Sequence, residues 1–101
     1  MFDMRSLKKV AELGDLAPRT MAGFKAPDEA GLADGAIPKK YKELMAIAVA
    51  LPTQCAYCID VHRKAALAAG ASKVKLSETI FIAMALRAGA APTHGTHLLT
   101  S

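Results

Sequence analysis

The clearest helical pattern in this chain covers residues 39–51. Apolar side chains recur there three and four positions apart, which places them on one face of a helix: Leu44, Ile47, Ala48 and Leu51. Pro52 lacks a backbone N–H, so we predict that it ends this helix. Thr53 is a suitable cap for a next helix over residues 54–69, with Gly70 as its stop.

A further helix is predicted from Ser72, a suitable cap, to about residue 88, where Gly89 closes it. Its apolar stripe consists of Leu76, Ile80, Ala83 and Met84. The tail from residue 90 is expected to begin one more helix, which the end of the chain cuts short.

Helical signals are weaker in the first third of the chain. Asp3 is a candidate cap for a first helix that Gly14 ends, and Pro18 suits the start of a second, short one. The apolar positions of these two helices are Leu7, Val10, Leu13, Met21 and Phe24. Residues 25–38 contain two prolines and two glycines and are predicted to be a connector with at most one turn of helix. No strand alternation interrupts the pattern, so we expect an all-α domain of four to six helices over residues 1–101.

Composition indicates that this domain has a thin core. The chain is 52% hydrophobic, yet it has no Trp and only five Phe and Tyr residues. Small residues suit close helix packing better than an independent core in a chain of this size. We therefore expect a protomer that completes its core in a homo-oligomer.

Charge and segment length argue against two classes of partner. Residues 1–36 carry five basic and six acidic side chains, whereas the remainder carries eight basic and three acidic ones. The basic residues form no dense run with interleaved aromatics, so we expect no nucleic-acid binding. Apolar runs fall short of the ~20 residues that a membrane span needs, and four of the first ten residues are charged, so a cytoplasmic location without membrane contact is the default.

The candidate chemistry lies in Cys55, Cys58 and His62, which are spaced so that a helix places all three on one face. Cys55 falls in the first turn, where the helix dipole favours a thiolate, and Arg63 and Lys64 add positive charge. This argument alone favours Cys55 as the nucleophile. Two cysteines are also too few for a secreted disulfide framework, so their spacing points to redox chemistry or to metal binding.

Glu43 is the fourth candidate, since it lies at the edge of the apolar stripe of residues 39–51. A half-buried carboxylate needs a partner. If this helix packs against the cysteine helix, we expect Glu43 to meet His62 or a water beside it, which gives a chain of proton acceptors that ends at a thiol. The alternative is a solvated Glu43 paired with Lys39 or Lys40.

Other interpretations stay open for the remaining residues. A zinc site would take Cys55, Cys58, His62 and one of the two later histidines, His94 or His97. The cysteines can also be two buried small side chains, and Tyr57 between them can pack or offer its hydroxyl to the site. Haem attachment is excluded, because Ile59 stands where that motif requires His.

The spacing resembles a known family. Glu43, eleven residues, Cys55-Ala56-Tyr57-Cys58, three residues and His62 reproduce the signature of the alkylhydroperoxidase D-like proteins of the carboxymuconolactone decarboxylase superfamily. The similarity covers about residues 37–95, which would be the catalytic core, with residues 1–36 as N-terminal helices and connector.

This resemblance implies a trimeric or hexameric thiol peroxidase or disulfide reductase without metal or organic cofactor. It implies that Cys58 attacks a hydroperoxide, that Cys55 resolves the sulfenic acid, and that Glu43 and His62 move the proton. A thiol or dihydrolipoyl-type protein would be the reductant. Well-studied members have a second His where this chain has Tyr57, which predicts a shorter relay and a lower rate. The decarboxylase branch lacks the Cys pair, so lactone decarboxylation is the less favoured enzyme, and a zinc-binding or structural oligomer is the alternative outside enzymes.

Overall fold

The computed structural model describes residues 3–100, and it contains helices but no strand in that range. Five α-helices lie between two 3₁₀ turns at Met4–Lys8 and Thr96–Leu99. They are α1 (Lys9–Leu16), α2 (Pro18–Leu32), α3 (Lys39–Thr53), α4 (Ala56–Ala68) and α5 (Lys73–Gly95). The predicted all-α fold is therefore confirmed.

The N-terminal helices pack against each other through a glycine. Asp3 caps the first turn as predicted, because its carboxylate accepts the N–H of Arg5 at 2.9 Å. The prediction that Gly14 ends the first helix is wrong, since α1 continues to Leu16. A Cβ at Gly14 would meet Cγ of Met21 at 3.2 Å, so this glycine allows α2 to approach α1 closely.

Helix α2 is longer than predicted. Pro18 is its first residue, as expected, but the helix then passes through Pro27 and ends at Leu32, so the connector is only residues 33–38. Proline has a φ that suits a helix, and its main cost is one missing hydrogen bond to the carbonyl four residues earlier. That carbonyl belongs to Gly23, which is exposed, so water can replace the lost donor.

The junction of α3 and α4 also differs from the prediction. Pro52 and Thr53 belong to the last turn of α3, and the Thr53 hydroxyl donates to the carbonyls of Val49 and Ala50 at 3.1 Å each. Thr53 is therefore not the cap of the next helix. Gln54 reverses the chain in the left-handed conformation, with φ 57°, and α4 starts at Ala56.

Helix α5 starts where predicted but ends later. The Ser72 hydroxyl caps it by accepting the N–H of Lys75 at 3.2 Å, and Gly70 before it has φ +97°, which suits glycine. Gly89 does not close the helix, and the tail starts no separate α-helix, because α5 continues through Pro92 to Gly95. The Thr93 hydroxyl donates to the carbonyl of Gly89 at 2.8 Å and supports this exposed last part.

The core lies where α3 packs against α4 and α5. Ile47, Ala66 and Ala71 are buried there, and Leu44, Leu51 and Leu76 pack against them. The α3 stripe is thus confirmed at Leu44, Ile47 and Leu51. On α5 the predicted stripe is wrong at Ile80 and Met84, which are 51% and 56% exposed. Helix α5 has 23 residues and α3 has 15, so α3 covers only part of α5.

The chain exposes far more surface than a compact protein of its mass. Its accessible surface is 7745 Å², whereas about 5,500 Å² is typical of a folded 10.6 kDa monomer. Its radius of gyration of 16.8 Å also exceeds the ~13 Å typical of 100 residues. The expected homo-oligomer stays a prediction. Within residues 3–100, no helix has the length and apolar character that crossing a membrane requires.

Candidate active site

Glu43 lies on the face of α3 that packs against the rest of the core. It is only 2% exposed, which is more complete burial than the sequence pattern indicated. A buried carboxylate is unfavourable unless hydrogen bonds and opposite charge compensate it. The structure supplies both from two directions: Lys39 from the preceding turn of α3 and His62 from α4.

His62 is held by this carboxylate. Its Nδ1 lies 2.6 Å from Oε2 of Glu43, and its side chain is 21% exposed. An ionised carboxylate only accepts hydrogen bonds, so Nδ1 carries the hydrogen in this pair. Nε2 is then the ring atom that is available to take up a proton.

The charge state of Glu43 follows from two opposing effects. Burial raises the pKa of the Glu43 carboxyl, whereas the hydrogen bonds and positive charges of His62 and Lys39 lower it. The net result is a pKa below the usual value of 4.5. Glu43 is therefore ionised at neutral pH despite its burial.

The two cysteines form a disulfide at the start of α4. Cys55 and Cys58 are half-buried, with Cα atoms 5.2 Å apart. Cys55 is the N-cap of α4, and its Sγ accepts a hydrogen bond from the N–H of Cys58 at 3.2 Å. His62 follows Cys58 by one helical turn on the same helix. The Cys pair and His62 thus belong to α4 and its N-cap, and Glu43 contacts His62 from α3.

Tyr57 links the cysteine motif to the N-terminal turn. Its hydroxyl accepts the N–H of Asp3 at 3.1 Å, a contact across 54 positions of sequence. With Ser6, Leu7 and Val10 it lines an open hollow of about 300 Å³. The hydroxyl, whose role the sequence left open, therefore participates in tertiary structure. No local signal in the sequence pairs Asp3 with Tyr57.

The zinc ligand set proposed as an alternative is not assembled. Among residues 3–100, no three His, Cys, Asp or Glu side chains are grouped so that they can hold a metal ion. His94 and His97 pair edge to face with each other, with ring centroids 5.3 Å apart, near the end of α5.

Lys39 is a second partner of Glu43 beside His62. From the sequence, a lysine and His62 are alternative partners for the Glu43 carboxylate. Both partners are present in the structure: Nζ of Lys39 donates to Oε1 of Glu43 at 3.0 Å, and Nδ1 of His62 bonds to Oε2. Lys40 points elsewhere, toward the ring of Tyr41 at 5.1 Å.

The chain is similar in sequence to two uncharacterised bacterial proteins. An uncharacterised protein encoded in the cox locus of Paracoccus denitrificans is 38% identical over 98% of this chain and 92% of its own length. An uncharacterised protein of Cupriavidus necator is 30% identical over 81% of this chain and 73% of its own length.

A solved crystal structure and a family profile also match this chain. The apo structure of a carboxymuconolactone decarboxylase family protein from Legionella pneumophila superposes with a TM-score of 0.76 at 34% identity, over 79% of this chain and 71% of that one. The sequence profile of the carboxymuconolactone decarboxylase family matches residues 18–100. This range includes Glu43, both cysteines and His62. The chain belongs to the carboxymuconolactone decarboxylase family.

Proposed function

We propose that the protein is a thiol-dependent peroxidase of the alkylhydroperoxidase D-like type, which can also act as a disulfide reductase. The observation that carries this proposal is the Cys55–Cys58 disulfide at the start of the helix that also holds His62, whose ring is fixed by buried Glu43. The Cys pair favours redox chemistry over lactone decarboxylation, which has no evident use for a disulfide.

The proposed cycle starts from the dithiol. The Cys58 thiolate attacks the terminal oxygen of a hydroperoxide, so that an S–O bond forms, the O–O bond breaks and an alcohol leaves after protonation. The Cys55 thiolate then attacks Sγ of Cys58, which forms the S–S bond and releases the sulfenic oxygen as water. A dithiol of a reductant protein, for example of the dihydrolipoyl type, returns the disulfide to two thiols and is itself oxidised.

The Glu43–His62 pair supplies the proton transfer in this proposal. With Nδ1 bonded to Glu43, Nε2 of His62 takes the proton from the Cys58 thiol and later gives it to the leaving alkoxide. The buried carboxylate stabilises the imidazolium that forms in between. Tyr57 occupies the position of a second His in better-known relatives, so this chain is expected to work with the shorter relay.

The geometry of Cys55 provides a competing argument on roles. Its N-cap position and the N–H of Cys58 would stabilise a thiolate on Cys55. We assign the attack to Cys58 because it lies one turn from His62 and because the family signature implies it. The large accessible surface supports a homo-oligomer, for which we propose the trimer or hexamer implied by the family.

Peroxide turnover tests this function. The reduced protein would be mixed with one equivalent of cumene hydroperoxide and analysed by intact-mass spectrometry and thiol titration. We expect the loss of two hydrogens and of both free thiols, and continued peroxide consumption when dihydrolipoamide is added. The control is the variant with both cysteines changed to Ser. Peroxide consumption no faster than in this control would contradict the proposal.

A further inference from the structure

We propose that Lys39 is a positioning residue of this site, which holds the Glu43 carboxylate by Oε1 so that Oε2 remains on the ring of His62. This inference rests on the proposed function only for its catalytic meaning, because the arrangement itself can be tested without turnover. No reacting atom is assigned to Lys39.

The division of the two carboxylate oxygens carries the argument. Lys39 Nζ lies 3.0 Å from Oε1, while His62 Nδ1 lies 2.6 Å from Oε2. Two donors on different oxygens fix the rotation of the carboxylate. The imidazole that Oε2 holds is thereby fixed as well, in the tautomer with Nδ1–H.

Lys39 is itself anchored to the end of another helix. It is the first residue of α3, and its ammonium also donates to the carbonyl of Leu32, at the C-terminus of α2, at 3.4 Å. Its backbone N–H donates to the carboxylate of Asp34 in the connector at 2.6 Å. The Lys39 side chain is 45% exposed, so Lys39 reaches the buried carboxylate from the surface of the protein.

The two cations beside Glu43 differ in when they are charged. An ammonium is charged throughout the neutral range, whereas an imidazole is charged only when protonated. In the state that must accept a proton from the thiol, His62 is neutral, and Lys39 is then the cation that compensates the buried carboxylate. The hydrogen bond and charge of Lys39 contribute to the lowered pKa of Glu43.

Three other charged or titratable groups lie around the Lys39–Glu43 pair and must be considered in a pH experiment. His62 faces Glu43 from α4, Asp34 lies beside the start of α3 in the connector, and Lys42 lies on α3 itself. Lys42 donates to the carbonyl of Ala33 at 2.7 Å and forms no ion pair with Glu43. It therefore makes the same kind of link between α3 and the end of α2 without contacting the carboxylate.

This difference gives a matched set of variants: Lys39→Met, Lys39→Arg and, as control, Lys42→Met. The first readout is the titration of the Glu43 carboxyl carbon by NMR in the intact protein, together with the ring nitrogens of His62. The second is the pH profile of Cys58 alkylation by iodoacetamide in the reduced protein.

We expect Lys39→Met to move the Glu43 titration to higher pH by about one unit, the lower end of what one close opposite charge contributes. The acid limb of the alkylation profile should move in the same direction. Lys39→Arg should restore most of both, and Lys42→Met should change neither. If Lys39→Met does not fold, Lys39→Gln, which keeps a donor but removes the charge, replaces it in the same comparison.

The outcomes separate this inference from the proposed function. A Glu43 titration that is the same in Lys39→Met and the wild type would overturn the role of Lys39, whatever the peroxide assay gives. An equal shift in Lys42→Met would reduce Lys39 to a general helix contact and would also overturn it. Absence of peroxide turnover in the wild type would remove the proposed function, while the NMR titration would still decide whether Lys39 positions Glu43.

Discussion

Nδ1 of His62 and Oε2 of Glu43 are 2.6 Å apart although 19 positions of sequence separate the two residues. Glu43 is 2% exposed, so this contact satisfies a carboxylate that has little access to water. The contact connects α3 to α4 at the helix that begins with the Cys pair. It joins Glu43 to the helix on which His62 and Cys58 lie.

Glu43→Gln should slow thiol oxidation at neutral pH and approach the wild-type rate as the pH rises. The amide cannot stabilise an imidazolium, whereas high pH ionises the thiol without a base. We expect a decrease of about 10- to 100-fold near pH 7, part of the ~100- to 10,000-fold that a positioned base contributes. The measurement is the iodoacetamide reaction rate against pH. Glu78→Gln, an exposed carboxylate on α5, is the control. An unchanged profile would reduce Glu43 to a structural partner of Lys39.

Acid should destabilise the wild type more steeply than Glu43→Gln. The pKa of Glu43 is lower in the folded protein than its usual 4.5, so the ionised carboxylate stabilises the fold. This contribution is complete above the usual pKa and is lost as the pH falls through the folded pKa. Urea midpoints measured between about pH 7 and pH 3 should therefore converge at low pH. Parallel curves for the two proteins would argue against the contribution.

Cys58→Ser should abolish peroxide consumption, whereas Cys55→Ser should complete one first step and stop at the sulfenic acid of Cys58. Only the attacking thiol is needed for that step. Trapping with dimedone and mass spectrometry detects the sulfenic acid. The reverse pattern would assign the attack to Cys55, in agreement with its N-cap position. It would exchange the roles but leave the redox pair intact.

The protein should sediment as a species heavier than its 10.6 kDa chain at low micromolar concentration. Helix α5 exposes large apolar side chains on several sides, including Phe81 at 60%, Ile82 at 59% and Leu86 at 67%. A helix that is apolar all round is normally buried. Phe81→Asp should weaken the assembly. A stable monomer of the wild-type chain would contradict the expected oligomer.

Ala66→Leu should destabilise the protein by roughly 1–3 kcal/mol, the usual cost of overpacking a core. Ala66 is 0% exposed in the core between α3 and α4, so a larger side chain has no space there. Ala68→Leu, in the same helix at an exposed position, should change stability by no more than about 0.5 kcal/mol. Equal unfolding midpoints for the two variants would show that the core around Ala66 adapts.

Several features of this protein could be predicted from short stretches of sequence. Asp3 and Ser72 cap their helices as predicted, and Pro18 begins α2. The apolar face of α3 follows from residue spacing alone. These predictions succeeded because caps and amphipathic faces depend on interactions within about four residues.

Breaker residues gave the wrong boundaries. Pro27 and Gly89 lie within helices, and Gly14 lies within α1, whereas α3 ends one residue after Pro52. A single proline or glycine costs a helix a limited amount of stability, and an exposed carbonyl that loses its donor can be satisfied by water. Local propensity therefore does not decide where such a helix ends.

The sequence by itself determined the four candidate residues of the site, because their spacing can be read along the chain: Glu43, Cys55, Cys58 and His62. Only the tertiary structure decided that Glu43 meets His62 and Lys39 together, and that Tyr57 is tied to Asp3. Helical periodicity gives the face of each helix but not the rotation and depth at which two helices pack. Those depend on the small side chains between them, such as Ala66, and they set which polar groups come within hydrogen-bond distance.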